Sequence, residues 1–200
     1  KDGPKGEHLT VRLGDETIKF IETNRDNPFL AYLSFYSVHT PLMAPPKMVE
    51  KYKTKIKHLG LDEQTEFALE EQVHPGGKDR KVRILQKHAT YAAMIESVDN
   101  QVGKVINKLK ELNIDQNTII CFTSDNGGLS TSEGSPTSNI PLRGGKGWLY
   151  EGGIREPFLI SWPGVIKPNA LSDTPVISTD FYPTLLELAE LPAKPKQHLD

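Results

Sequence analysis

The chain has 200 residues, 36% of them hydrophobic and 25% charged, with a formal net charge of -2 and a pI near 6.3. These values predict one soluble globular domain, or most of one, long enough for a sizeable core. They lack the basic surplus of a phosphate-tracking nucleic-acid binder, the longest apolar run (Phe29 to Leu33) is only five residues against the roughly 20 of a membrane span, and the single Cys121 excludes a disulfide framework or a cysteine-rich zinc site.

The opening residues Lys1 to Glu7 show no apolar stretch behind a basic start, so no secretory signal is read there. Leu9, Leu13, Thr17, Ile18 and Ile21 recur at helical spacing, which predicts an amphipathic helix over Leu9 to Glu22, ended by Asn24 to Asn27. Phe29 to Phe35 is a short apolar run that predicts a strand buried on both faces, with His39 just past its end. Pro41, Pro45 and Pro46 then make Thr40 to Pro46 a stiff loop. Residues 53 to 80 are polar and read as a surface excursion with a short helix at Asp62 to Glu71. From Lys81 to Leu112 apolar residues step by threes and fours, the strongest helical signal in the chain.

Thr118 to Thr123 predicts a second buried strand, so that strand, helix and strand form a parallel βαβ crossover, with Cys121 as a small core residue. From Ser124 to Glu156 the chain is rich in glycine, serine and threonine and has no period of either kind. A loop this long in a compact domain is usually functional or disordered. Phe158 to Trp162 offers a third strand, and Ser178-Thr179-Asp180 with Pro183 starts a C-terminal helix.

In parallel sheets ligands bind beyond the carboxyl ends of strands, and two such ends present His39 and Asp125-Asn126-Gly127-Gly128. Asp125 and Asn126 place a carboxylate and an amide oxygen side by side, the hard donors that Ca²⁺ or Mg²⁺ prefers, or else Asp-Asn-Gly is a hairpin turn. Arg143-Gly144-Gly145-Lys146-Gly147 either cradles an anion with backbone N–H groups and two cations or is a solvated loop. It is neither a Walker A loop, because Ile140 and Gly147 stand where glycine and Ser/Thr belong, nor a dinucleotide fingerprint, because Tyr150 replaces the third glycine. His39 could donate a proton to a leaving oxygen near a metal and an anion, or be structural. No pair of histidines has zinc-hydrolase spacing, and there is no Gly-x-Ser-x-Gly elbow.

Four blocks together resemble one family: Pro28 to Pro46 (PFLAYLSFYSVHTPLMAPP), Tyr91 to Leu109 (YAAMIESVDNQVGKVINKL), Thr118 to Gly128 (TIICFTSDNGG) and Pro141 to Gly164 (PLRGGKGWLYEGGIREPFLISWPG). A fifth, Ser178 to Ala189 (STDFYPTLLELA), follows in the expected order. The chain is similar to the sulfatases of the alkaline phosphatase superfamily, in the branch of arylsulfatases and glycosaminoglycan sulfatases. That resemblance implies an α/β fold, a three-layer α/β/α alkaline phosphatase-like domain with a mainly parallel sheet, incomplete on its N-terminal side. It implies hydrolysis of a sulfate monoester, of a sulfated carbohydrate or an aryl compound. By the same resemblance Asp125 and Asn126 match a pair of Ca²⁺ ligands, Lys146 matches the lysine that contacts sulfate, and His39 matches the histidine that contacts sulfate and assists departure of the alcohol. Tyr150, Glu151 and Arg155 fall in the same motif as scaffold.

The family's nucleophile, a formylglycine made from the first residue of a Cys/Ser-x-Pro/Ala-x-Arg motif, has no counterpart here: Cys121 is followed by Phe122-Thr123-Ser124-Asp125, and Ser161-Trp162-Pro163 continues to Gly164-Val165. The family's first Asp-Asp metal pair is also missing. Residues 1 to 200 are therefore expected to be the middle and later part of a sulfatase catalytic domain, inactive and weakly metal-binding when isolated. The resemblance further implies a secreted, periplasmic or lysosomal location, and no nucleic-acid partner or membrane span is expected. Two other readings stay open: a phosphonate or phosphodiester hydrolase of the same superfamily, and a non-catalytic sulfoglycan-binding pseudoenzyme.

Overall fold

A computed structural model of the chain describes residues 3–4, 6–70 and 81–197. Two compact units are present, Lys1–Pro163 and Gly164–Asp200.

The first unit is organised on three helices: α1 (Leu9–Asn24), α2 (Pro46–His58) and α3 (Ala89–Glu111). The periodicity that predicts α1 buries Ile21, and Thr10 and Gly14 share its buried face. Helix α3 buries Tyr91, Ala93, Met94, Ser97, Gln101 and Leu109 and packs against both α1 and α2. At Gly14 α1 and α3 pack tightly: a Cβ there would stand 2.6 Å from Gln101 Oε1. Lys108 with Glu22 (2.9 Å) and Lys104 with Asp15 (3.4 Å) pair along the same seam. Exposed pairs of this kind contribute little beside the apolar contact. Asn113, with a left-handed φ of 58°, ends α3: its amide reaches Lys110 O and the Ile114 amide reaches Leu109 O, each at 3.0 Å. This is the Schellman arrangement, which satisfies the last helical carbonyls.

Four expectations are corrected here. The helix expected from Lys81 begins only at Ala89, because His88 caps it, its Nδ1 accepting from the Tyr91 amide at 3.2 Å, while Lys81–Arg83 is strand β2. The short helix expected from Asp62 does not form in its described part; Phe67–Leu69 is strand β1, antiparallel to β2, and the remainder, residue 71, lies outside the described residues. Helix α2 takes in Pro46, expected in the stiff loop, and residues 53–58, expected in the surface excursion; Pro46 at its first turn and Met48, Val49, Tyr52 and Ile56 at three- and four-residue spacing are its signature. Residues Phe29 to Phe35 form no ladder with any described residue, and Tyr32 is 91% exposed. An apolar run shows readiness to pair, whereas a strand exists only where a partner supplies the other half of the ladder.

Strands β3 (Ile120–Thr123) and β4 (Phe158–Ser161) lie where the apolar runs place them, but they pair antiparallel, Ile120 opposite Ser161 and Thr123 opposite Phe158. The expected parallel crossover through α3 is thus absent among the described residues, and every ladder there is antiparallel. Cys121 is exposed rather than a core residue, as are its neighbours Phe122, Leu159 and Ile160, because nothing described covers either face of this ladder. A four-residue helix, α4 (Glu151–Ile154), interrupts the long loop before β4.

In the second unit a 3₁₀ turn at Ser178–Asp180 leads into α5 (Phe181–Leu188). Asp180 Oδ2 accepts from the Ile177 amide at 2.8 Å, the start signal expected from Ser178-Thr179-Asp180. No described residue of this unit is buried.

The core of the first unit is small, so its members weigh heavily. Ile21, 2% exposed, fills the α1–α3 contact. Ile21→Ala is expected to destabilise the fold by about 2–5 kcal/mol, measured as a fall in the urea midpoint with unchanged slope.

Candidate active site

The loop between β3 and α4 gathers its turns around one side chain. Asn139 Nδ2 donates to the carbonyls of Gly128 (3.0 Å), Gly144 (3.0 Å) and Gly152 (3.2 Å). Three carbonyl oxygens around one atom identify that atom as the amide nitrogen, and its two hydrogens must be shared among them. The Ser130 hydroxyl adds a second bond to Gly144 O at 2.8 Å. Backbone bonds complete the weave: Lys146 N to Gly128 O (3.1 Å), Trp148 N to Gly145 O (2.9 Å) and Gly152 N to Arg143 O (2.7 Å). Gly127 has a left-handed φ of 84°, and a side chain there would strike the Gly152 and Gly153 backbone, so only glycine suits this turn.

Aromatic and charged contacts brace the outside of the loop. Trp148 donates from its indole to Thr131 Oγ1 at 2.8 Å and stacks on Tyr150, over whose ring the Arg143 guanidinium lies at 4.4 Å. Arg143 also faces the buried Glu70 at 3.6 Å. The sequence offered Arg143 as a possible anion cradle; the structure engages it with Tyr150 and Glu70. Glu151 pairs with Arg155 at 3.2 Å within α4.

His39 sits in a turn held against α1. Its turn is closed by a bond from its amide to Tyr36 O (2.9 Å), and Ser37 Oγ meets Thr10 Oγ1 of α1 at 2.7 Å. His39 Nδ1 lies 2.8 Å from Thr40 O, an acceptor only, so Nδ1 carries the proton and Nε2 is free to accept. Lys146 Nζ takes that position, 2.7 Å from Nε2. Two residues 107 positions apart are thereby brought into direct contact. Both are accompanied by a residue that sequence reasoning missed: Glu133 Oε1 accepts from Lys146 Nζ at 3.2 Å, and its Oε2 accepts from Thr40 Oγ1 at 2.8 Å and lies 3.7 Å from His39 Nε2. The bonds from Thr40 and Lys146 hold the Glu133 carboxyl below the usual carboxylate range. Nothing in the Ser-Glu-Gly sequence around Glu133 announces this contact.

Asp125 and Asn126 are exposed on the bend after β3 and immediately precede the Gly127-Gly128 turn whose carbonyl holds the Lys146 amide. Their immediate continuation in strand order is not a hairpin, because β3 pairs with β4 more than thirty residues on rather than with the next segment. Beside them lies Glu156, also missed from the sequence. Burial pushes its carboxyl above the usual range, the negative charge of Asp125 adds to this, and Ser124 and the Gly127 amide oppose it. Glu156 Oε1 is buried with no hydrogen-bond partner. A carboxylate, an amide oxygen and a second carboxyl with one unpaired oxygen are donors of the type a hard divalent cation takes, but far fewer than the 6–8 that Ca²⁺ requires. Among the described residues no group of three or more His, Cys, Asp or Glu could hold a metal ion alone.

Comparison with known proteins converges on one family. A model of the Sulfatase family matches residues 2–191. A sulfatase of Formosa agariphila is 37% identical over 206 aligned positions, which take in 96% of this chain and 32% of the relative. Human steryl-sulfatase is 32% identical, with 97% of this chain and 28% of its own length covered. The solved structure of Ps i-CgsB in complex with k-i-k-neocarrahexaose superposes with a TM-score of 0.74 at 31% identity, over 100% of this chain and 38% of that one. The PsFucS1 sulfatase from Pseudoalteromonas sp. gives 0.64 at 31% identity, over 92% and 31%. The chain spans about a third of the length of the relatives it matches. These structural neighbours have the alkaline phosphatase-like α/β fold, and the mixed helices and strands here are consistent with part of such a domain.

Because Asn139 joins the three turns, its truncation isolates their contribution. Asn139→Ala should cost about 1–3 kcal/mol of local stability by leaving carbonyls without donors. Hydrogen exchange at the Lys146 and Gly152 amides is expected to accelerate by about tenfold or more, while the α1–α3 amides keep their protection.

Proposed function

The chain belongs to the sulfatase family, and from that premise we propose that the protein of which it is part hydrolyses sulfate monoesters, with Lys146 and His39 contacting the sulfate group. The observation that carries this reading is the 2.7 Å contact between Lys146 Nζ and His39 Nε2. It places an ammonium and an imidazole on one spot, where negative charge on a sulfate and on its departing oxygen would both be met. Such stabilisation of developing charge is the largest single contribution in most hydrolytic sites.

Lys146 binds and orients a sulfate oxygen through its N–H groups. Its backbone is held by Gly128, so the ammonium approaches from a fixed base. His39 serves the leaving oxygen. Its Nδ1–H stays on the Thr40 carbonyl, and this leaves Nε2 as the ring atom able to take up and deliver a further proton. When Nε2 carries a proton, Lys146 and His39 repel, and Glu133 at 3.7 Å supplies the opposite charge.

Asp125 and Asn126 would hold part of a Ca²⁺, with Glu156 beside them. In this family Ca²⁺ supplies positive charge to the anion, and formylglycine, which would lie outside these residues, supplies the nucleophile. The substrate is read as a sulfated carbohydrate or an aryl sulfate. Support for the carbohydrate comes from the similar Ps i-CgsB, solved with an oligosaccharide, and support for an aryl sulfate comes from the similar human arylsulfatase H. A secreted, periplasmic or lysosomal place of action accords with this reading; among the described residues no helix is long and apolar enough to cross a membrane.

Two measurements on the full-length protein test the assignment. Lys146→Ala should lower turnover of a sulfate ester by about 10²–10³-fold with an unchanged circular dichroism spectrum; unchanged turnover would remove Lys146 from the site. Asp125→Ala should lose bound calcium by elemental analysis, and a retained full equivalent contradicts its role as a ligand.

A further inference from the structure

Glu133 stands at the tip of the loop between β3 and α4, in a run of three left-handed residues: Glu133 (φ 52°), Gly134 (φ 85°) and Ser135 (φ 46°). Residues with a Cβ adopt this conformation reluctantly, so the tip is held from outside. Ser135 is the anchor: its amide bonds Ser132 O at 2.9 Å, and its carbonyl accepts from the buried Arg83 guanidinium, which also pairs with Glu66. The Glu133 carboxylate projects from this fixed tip with both oxygens engaged, one by Lys146 and one by Thr40. The charged groups that face it are Lys146 and His39.

We propose that Glu133 is a specificity-determining residue that makes this anion site favour singly charged esters over doubly charged anions. The proposal rests on the reading that Lys146 and His39 contact the sulfate group. A sulfate monoester carries one negative charge, whereas inorganic sulfate, the product, carries two, as does a phosphate monoester above neutral pH. A cationic pair on its own attracts an anion in proportion to its charge and would therefore hold product, and phosphate competitors, more firmly than substrate. The carboxylate counters this ordering. With His39 neutral, Lys146 and Glu133 together are close to zero net charge, and each further negative charge placed ~5 Å from Glu133 loses on the order of tenfold in affinity. The substrate bears that loss once and the dianion twice. Glu133 thus promotes release of sulfate and disfavours phosphate esters, without touching the scissile bond.

The test uses the full-length protein with an aryl sulfate as substrate, and inorganic sulfate and phosphate as competitive inhibitors at pH 8. Glu133→Gln keeps the length and backbone preference of the residue and removes its charge. Its inhibition constants for both dianions should fall by about tenfold more than its KM for the aryl sulfate, while Glu133→Asp should keep the wild-type ratio. Should Glu133→Gln not fold, Glu133→Asn, which removes the same charge with a residue that tolerates the left-handed backbone, is expected to shift the ratio in the same direction. If the ratio of inhibition constant to KM is unchanged in the charge-removed variant, the proposal is overturned. Lys146→Ala distinguishes the two levels: if it leaves sulfate inhibition intact, the assignment of the site fails and the proposal with it. If it weakens sulfate inhibition while Glu133→Gln leaves the ratio unchanged, only charge selection fails.

Discussion

One amide nitrogen organises the long loop between β3 and α4. Asn139 Nδ2 ties together Gly128, Gly144 and Gly152, which belong to the turn after β3, the approach to Lys146 and the short helix α4. A glycine-rich segment has high conformational entropy and few side chains with which to offset it. Here the deficit is met by hydrogen bonds in a buried setting, where an unpaired carbonyl is costly and a paired one rigid. The glycines and Asn139 therefore depend on one another: close backbone approach lets one amide reach three carbonyls, and the amide makes that close approach stable.

The electrostatics of the site follow from this framework. Lys146 is presented by a backbone fixed to Gly128, His39 by a turn fixed to α1, and Glu133 by a tip fixed to Arg83. Three separate anchors deliver three side chains to one place, where Lys146 bonds both His39 and Glu133. The result is an ammonium paired with its own counter-charge beside an imidazole.

Near Asp125 the balance is the opposite. The Glu156 carboxyl is raised by burial, and Asp125 adds repulsion, with Glu156 Oε1 left without a partner. Negative charge is in surplus after β3 and positive charge is offset at Lys146. A hard cation near Asp125 and Asn126 would relieve the first, and an anion near Lys146 would engage the second, so the two ends of the loop suit complementary parts of a metal-bound sulfate ester.

Local patterns made some of this legible in the sequence. Helices α1 and α3 show in their three- and four-residue spacing, β3 and β4 in their apolar runs, and the family in contiguous blocks such as the one containing Gly144 to Gly153. These signals survive because a helix face or a tight loop is specified by near neighbours. Proline at the first turn of α2 and a histidine cap at α3 were equally local, yet they were outweighed by the polar composition around α2 and by the periodicity that runs past the cap into β2. What only the tertiary structure decided is which distant segments meet. The antiparallel pairing of β3 with β4, the exposure of Cys121, the contact of His39 with Lys146 and the presence of Glu133 between them all require partners tens of residues away. Sequence determines the chemical kind of each side chain and its local conformation; convergence depends on the folded path of the chain, which no short-range period encodes.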